Sequence, residues 1–184
     1  MPTEFNFREL DAGAWKGERF RGERIPLLEE VLAALPGARV NVELKPQGRD
    51  LRLAGAAAEV VRRAGAAGRV LASSFDPGLL AAFHRAAPEV ACGLLLERRA
   101  AWRLRAALTL RRLRPAAVHP ERGLATAARV RRWRASGLMV NVWTVDQPAE
   151  VARLVALGVD ALITNRPGEV VRLLGRAAGP AQGA

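Results

Sequence analysis

The sequence is short of cysteine, of lysine and of long uncharged apolar runs, and each shortage excludes something. Its single cysteine, Cys92, cannot form a disulfide within the chain, and the apolar stretch 90–94 around it predicts a small core residue. No apolar run is long enough to span a bilayer, and residues 1–24 contain no signal-peptide core. We therefore expect a cytoplasmic protein without a membrane span.

Nearly all of the positive charge is carried by arginine, because Lys16 and Lys45 are the only lysines. The 184 residues contain 29 Lys and Arg against 18 Asp and Glu, which gives a formal net charge of +11. Such an excess of positive charge can bind nucleic acid, a membrane surface or a phosphorylated small molecule. Abundant Arg, Ala, Gly and Pro is also typical of a GC-rich genome, and we favour this explanation, which makes much of the charge incidental.

The length and the half-apolar composition fit one soluble globular domain over 1–184. We expect a loop over 1–24 that packs on the body and a flexible tail over 177–184. Between them, apolar strands alternate with amphipathic helices. The predicted strands end near Lys45, Phe75, Leu96, His119, Val145 and Thr164, and the predicted helices cover about 26–35, 50–64, 76–87, 126–135, 146–157 and 168–176.

Strands that are apolar along their length and alternate with helices indicate a parallel sheet covered by helices, which is an α/β fold. In such folds the chemistry lies at the carboxyl ends of the strands. Polar residues gather at those ends in this sequence, which predicts a site there. They are Glu43 and Lys45, Ser73 and Ser74, His119, Trp143 and Thr144, and Thr164 and Asn165.

The strand 40–45 is the most informative of these. Its alternation places Asn41, Glu43 and Lys45 on the side opposite to its apolar residues. In a barrel interior, this carboxylate and this amine would be desolvated and would need each other or a ligand, and the compact ammonium of lysine suits a phosphate. The alternative is a salt-bridged strand end near the surface.

Several segments, in their order and spacing, carry a resemblance to a known family. They are I-P-L-L-E-E-V-L at 25–32 followed by N-V-E-L-K at 41–45, S-S-F-D at 73–76, V-W-T-V at 142–145 and G-V-D-A-L-I-T-N-R-P at 158–167. With them, the chain resembles the glycerophosphodiester phosphodiesterase family over essentially its whole length, although Asn165 replaces the Asp that the family usually has. The resemblance implies a TIM-type (β/α)8 barrel, incomplete in this chain, with about six βα units.

The first two strands of that family carry His-Arg-Gly, Glu-x-Asp and His-Asp motifs, and residues 1–24 match none of them. The resemblance therefore implies a barrel truncated at its N-terminus, through a late start codon, a broken gene or an excised fragment. It also implies that the family's two catalytic histidines have no counterpart in this chain. We accordingly expect the chain alone to be inactive.

The family resembled hydrolyses glycerophosphodiesters to glycerol 3-phosphate and an alcohol, with a divalent metal (Mg or Ca) and two histidines as acid and base. The resemblance makes Glu43 a metal ligand, Lys45 the catalytic cation beside the phosphate, and Trp143 a substrate-binding wall of the pocket. His119 ends a strand and is assigned a minor substrate-binding role, although a single histidine at a strand end is more often a hydrogen-bonded rim residue.

Two other hypotheses remain. The chain could be an inactive structural remnant, or an Arg-rich module that binds nucleic acid or an anionic surface through residues 98–114, where Trp102 lies among the arginines. Leucines at helical spacing give this stretch an apolar face, which makes the arginines its solvated side. We therefore do not expect nucleic acid as a partner. We expect a glycerophosphodiester substrate, and self-association through the open edges of the incomplete barrel.

Overall fold

The structure is a computed structural model that describes residues 7–45, 51–98 and 112–175. Within these ranges, the strands and helices occur in the order that the sequence predicts. The strands are β1 Val40–Glu43, β2 Val70–Ser74, β3 Ala91–Leu96, β4 Ala117–Pro120, β5 Met139–Val142 and β6 Ala161–Leu162. The helices are α1 Leu28–Ala34, α2 Arg52–Arg63, α3 Pro77–Ala86, α4 Ala127–Ala135, α5 Pro148–Ala156 and α6 Pro167–Leu173.

The strands form one parallel sheet in the order β1-β2-β3-β4-β5-β6, so each strand pairs with its neighbours in sequence. This order is the one expected when successive βα units are added around a barrel wall. The sheet curves into an incomplete (β/α) barrel, which confirms the predicted fold class. No helix in the described ranges is long and apolar enough to cross a membrane.

The two faces of the sheet differ in chemistry. One face carries small and branched apolar residues that are 0% exposed, such as Ala72, Leu94 and Val140, and these share a core with helix residues such as Phe83 and Leu154. Cys92 is a buried member of this core, as predicted, and burial raises the pKa of its thiol to about 11. The other face, which we call the inner face, carries most of the polar strand residues.

Local sequence signals explain where the helices begin. The carboxylate of Asp76 accepts hydrogen bonds from the N–H groups of Gly78 and Leu79, at 2.7 and 3.0 Å, and Pro77 opens α3. Thr126 caps α4, and proline also opens α5 and α6. These caps lie just beyond the strand ends, so they fix the path of the chain around the site.

The segment 7–24 consists of three short 3-10 helices, Phe7–Glu9, Ala14–Lys16 and Glu18–Phe20, linked by turns. Asp11 accepts hydrogen bonds from the N–H groups of Gly22, Ala14 and Gly13, and these donors, led by Gly22, hold the pKa of Asp11 below its ordinary value. The predicted tail 177–184 lies outside the described residues, as does most of the Arg-rich stretch 98–114.

Candidate active site

The carboxyl ends of the strands bring the predicted site residues to one edge of the sheet. The register pairs Glu43 with Ser73 and Ser73 with Gly93, and it pairs Leu95 with His119. Alternation along each strand places all of these residues on the inner face. Glu43, Ser73 and His119, which the sequence predicted separately, therefore lie on one face. Ser74 lies on the opposite face, where its hydroxyl donates to the backbone carbonyl of Leu44 over 2.7 Å.

Glu43 and Lys45 lie at the end of β1. The Nζ atom of Lys45 is 3.9 Å from Oε1 of Glu43, and the two side chains are 80% and 34% exposed. An ion pair at this distance and exposure contributes about 0–1 kcal/mol. The pair thus matches the alternative of a salt bridge at a solvated strand end, and the ammonium remains accessible to an anionic ligand.

His119 is deeply buried, with 1% exposure, as are the predicted site residues Ser73 and Ser74, with 0%. Its Nε2 atom lies 3.1 Å from the amide Nδ2 of Asn141 on β5, and its Nδ1 atom has no hydrogen-bond partner in the described part of the chain. Burial lowers the pKa of His119 to about 4, because the protein interior disfavours the charged imidazolium. The ring is therefore neutral at physiological pH and is unsuited to act as a general acid there.

Gly93 makes room for this histidine. A Cβ atom at residue 93 would lie 2.5 Å from Nε2 of His119, far inside van der Waals contact. The imidazole therefore lies directly against the backbone of β3, and the absence of a side chain at Gly93 is what permits it. Ser73, next to Gly93 on β2, is fully buried, and its hydroxyl has no partner among the described residues.

Trp143 is held in place by contacts from two strands. Its indole Nε1–H donates to the backbone carbonyl of His119 over 2.6 Å. The ring of Phe75 meets it edge-on, with the centroids 5.4 Å apart and the planes at 89°. Trp143 is partly exposed, so a fixed aromatic surface faces the same edge of the sheet as Lys45.

The described residues do not complete a metal site. Divalent Ca takes six to eight oxygen ligands and Mg takes six, of which the protein usually supplies one or two carboxylates. Glu43 offers one carboxylate, and no group of three or more His, Cys, Asp or Glu in the described ranges could hold an ion. The predicted role of Glu43 as a metal ligand therefore stays a prediction.

One inner-face residue escaped the sequence analysis, namely Asn141. Asn141 is on β5, and Trp143 follows the end of that strand two residues later. The alternation that places Trp143 at the site therefore also places Asn141 on the same face. That two-residue spacing is the signal in the sequence that could have identified Asn141. The contact with His119 could not have been deduced, because it depends on which strands are neighbours and on their register.

Comparison with known proteins gives the same family as the motifs. Residues 3–169 match the glycerophosphoryl diester phosphodiesterase family. The Mycobacterium tuberculosis protein named probable glycerophosphodiester phosphodiesterase 2 is 33% identical over 173 residues, covering 82% of this chain and 60% of the relative. A glycerophosphodiester phosphodiesterase of Caldanaerobacter subterraneus subsp. tengcongensis is 30% identical, over 91% of this chain and 69% of the relative.

Among solved structures, an Oleispira antarctica phosphodiesterase in complex with the product sn-glycerol-3-phosphate is similar, with a TM-score of 0.79 and 27% identity. The match covers 92% of this chain and 69% of that one. The chain thus spans about 60–69% of the length of these relatives. Its sequence, its sheet order and these similarities together show that the chain belongs to the glycerophosphoryl diester phosphodiesterase family.

Proposed function

We propose that this chain serves the hydrolysis of glycerophosphodiesters to glycerol 3-phosphate and an alcohol. The observation that carries the proposal is the family match over 3–169, combined with the positions of Lys45 and Trp143, which each follow the carboxyl end of a strand of the same sheet. Support also comes from the names of the relatives and from the product bound to the Oleispira antarctica protein. The substrate is accordingly a small phosphodiester that carries a glycerol group.

Lys45 is proposed as the cation beside the phosphate. Hydrolysis of a phosphodiester adds water at phosphorus and expels an alkoxide, and negative charge builds on the phosphoryl oxygens in the transition state. An accessible ammonium stabilises that charge, and the side chain of Lys45 is 80% exposed. Trp143 is proposed to pack against the glycerol or the leaving group, because its ring is fixed and partly exposed.

The proposed metal, Mg or Ca, would use Glu43 as one of its ligands. A bound divalent ion would neutralise charge on the phosphate. Since the described residues offer a single carboxylate at this position, they do not fit a complete metal site, and we assign no reaction step to a metal. His119 is 1% exposed, so its ring is shielded from a ligand, and we do not assign it the acid or the base of the reaction.

Two measurements test the proposed function. The first is release of glycerol 3-phosphate from glycerophosphocholine, and the second is calorimetric binding of sn-glycerol 3-phosphate. We expect binding by the wild-type chain that weakens about tenfold or more in Lys45→Met, because hydrogen bonds to charged groups contribute about 1.5–3 kcal/mol. Lys16→Met, which removes the other lysine, is the matched control and should bind as the wild type does.

The outcomes separate the hypotheses. A wild-type chain that neither releases nor binds glycerol 3-phosphate would contradict the proposed function and favour an inactive remnant. Binding without turnover would agree with the prediction that this chain alone is inactive, whereas turnover would contradict that prediction. Equal weakening of binding in Lys45→Met and Lys16→Met would show that Lys45 has no special role.

A further inference from the structure

The side-chain amide of Asn141 has two ends with different surroundings. Its Nδ2 atom lies 3.1 Å from Nε2 of His119. With the amide oriented as in the structure, its nitrogen donates and Nε2 accepts, and the proton of the neutral ring is then on Nδ1, which has no partner among the described residues. The amide oxygen is the second polar atom of this planar group. In the described ranges, the side chain of Asn141 makes no other hydrogen bond.

His119 cannot easily move away from this partner. Its ring is 1% exposed and lies against Gly93, where a Cβ would be only 2.5 Å from Nε2. Its backbone carbonyl accepts from the indole of Trp143, which in turn contacts Phe75. The imidazole is thus fixed from two sides, and Nε2 is a fixed acceptor that orients the amide of Asn141.

Asn141 itself is partly exposed on the inner face, two residues before Trp143. An oriented amide oxygen next to a fixed aromatic ring is suited to accept a hydrogen bond from an aliphatic hydroxyl while the carbon chain packs on the ring. We propose that Asn141 recognises a hydroxyl of the glycerol moiety, with His119 as its positioning residue. The proposal rests on the proposed function, and it adds the residue that distinguishes a polyol ester from a plain alkyl ester.

The test compares two ligands that differ only in hydroxyl groups, sn-glycerol 3-phosphate and n-propyl phosphate. We expect the wild-type chain to bind the first about tenfold more tightly, because a site built to hydrogen-bond a hydroxyl disfavours the analogue that lacks it. Asn141→Leu keeps the number of side-chain heavy atoms and the branch at Cγ but neither donates nor accepts, so the ratio of the two dissociation constants should fall close to one. Asn41→Leu, the same change on the same face of β1, should leave the ratio unchanged.

His119→Phe tests the positioning role, since it keeps a ring but removes the Nε2 acceptor. The ratio should fall in this variant too, although the ring does not touch the ligand. Nitrogen-15 NMR gives an independent readout, because the chain has two histidines and His84→Gln identifies the other. The Nδ1–H tautomer should dominate for His119 in the wild type and lose that dominance in Asn141→Leu.

A ratio that stays near tenfold in folded Asn141→Leu would overturn the proposal, as would a wild-type ratio near one. If Asn141→Leu does not fold, Asn141→Ser replaces it, because a serine at this position is too short to reach His119. Failure of this inference is distinct from failure of the proposed function, which is decided by turnover and by the Lys45→Met comparison. Binding of both phosphates with no discrimination would contradict only the inference.

Discussion

The side-chain amide of Asn165 donates to the carboxylate of Asp146 over 2.9 Å, linking the chain segments that follow β5 and β6. The same carboxylate accepts from the backbone N–H of Asn165 and from the hydroxyl of Thr164, at 2.8 and 2.9 Å. These hydrogen bonds, led by the side chain of Asn165, lower the pKa of Asp146. An Asp at position 165 would bring a second negative charge against the first, so Asn is the residue that suits Asp146.

We predict that Asn165→Asp lowers the melting temperature by about 2–4 °C, because a second carboxylate would replace the amide that donates to Asp146. Asp146→Asn combined with Asn165→Asp restores one amide and one carboxylate in exchanged positions, and it should recover most of the loss. Thermal unfolding of the wild type, both single variants and the double variant measures the energetic coupling between the side chains of residues 146 and 165. Additive losses in the double variant would show that the two side chains do not interact.

The pH dependence of stability follows from the same contact. A carboxyl group whose folded pKa lies below its ordinary value of 3.8 contributes stability that is present above that value and is lost as the pH falls through the lower, folded pKa. Below about pH 4, the wild type should therefore lose stability more steeply than Asp146→Asn. Melting temperatures between pH 6 and pH 2.5 measure this difference, and parallel curves would exclude a contribution from Asp146.

We predict that Gly93→Ala destabilises the protein by about 1–3 kcal/mol, the usual cost of inserting a methyl group into a packed interior. The new Cβ would meet the imidazole of His119 at 2.5 Å. Gly55→Ala is the matched control, because Gly55 is inside α2 with open space around its Cβ position. That change should stabilise by about 0.5–1 kcal/mol. Denaturant unfolding measures both, and equal effects would mean that the ring of His119 simply moves aside.

How much of this site the sequence predicts depends on whether the signal is local or comes from strand pairing. Asp76 and Pro77 mark the start of α3 because helix capping is a local property of the sequence. The position of Trp143 at a strand end also follows from a local signal, the apolar run before it. The burial of His119, by contrast, depends on Gly93 on the neighbouring strand β3, and its hydrogen bond depends on Asn141 on the other neighbouring strand, β5. Such contacts depend on register, which residue spacing alone does not determine.

We predict that the chain self-associates through the edges of its sheet. In the described ranges, β1 and β6 each pair with a single strand. The N–H of Leu44 points to β2, where it donates to Ser73 over 2.7 Å, so the N–H of Asn41 points to the open edge. Light scattering after size exclusion should give a mass that rises above 19.8 kDa with concentration. Asn41→Pro should lower that mass, and a monomer at every concentration would contradict the prediction.

The final prediction concerns divalent metal. Stabilisation by a ligand grows with its concentration relative to its dissociation constant, and one exposed carboxylate at Glu43 gives weak binding. We therefore expect excess Mg or Ca to change the melting temperature by less than about 1 °C. A stabilisation of about 1 kcal/mol would produce a larger shift. Glu43→Gln should respond to metal as the wild type does, and so should Glu23→Gln, a control on the segment before α1. A large metal-induced rise that disappears in Glu43→Gln but persists in Glu23→Gln would contradict this expectation, because it would show that Glu43 and residues outside the described ranges together complete a metal site.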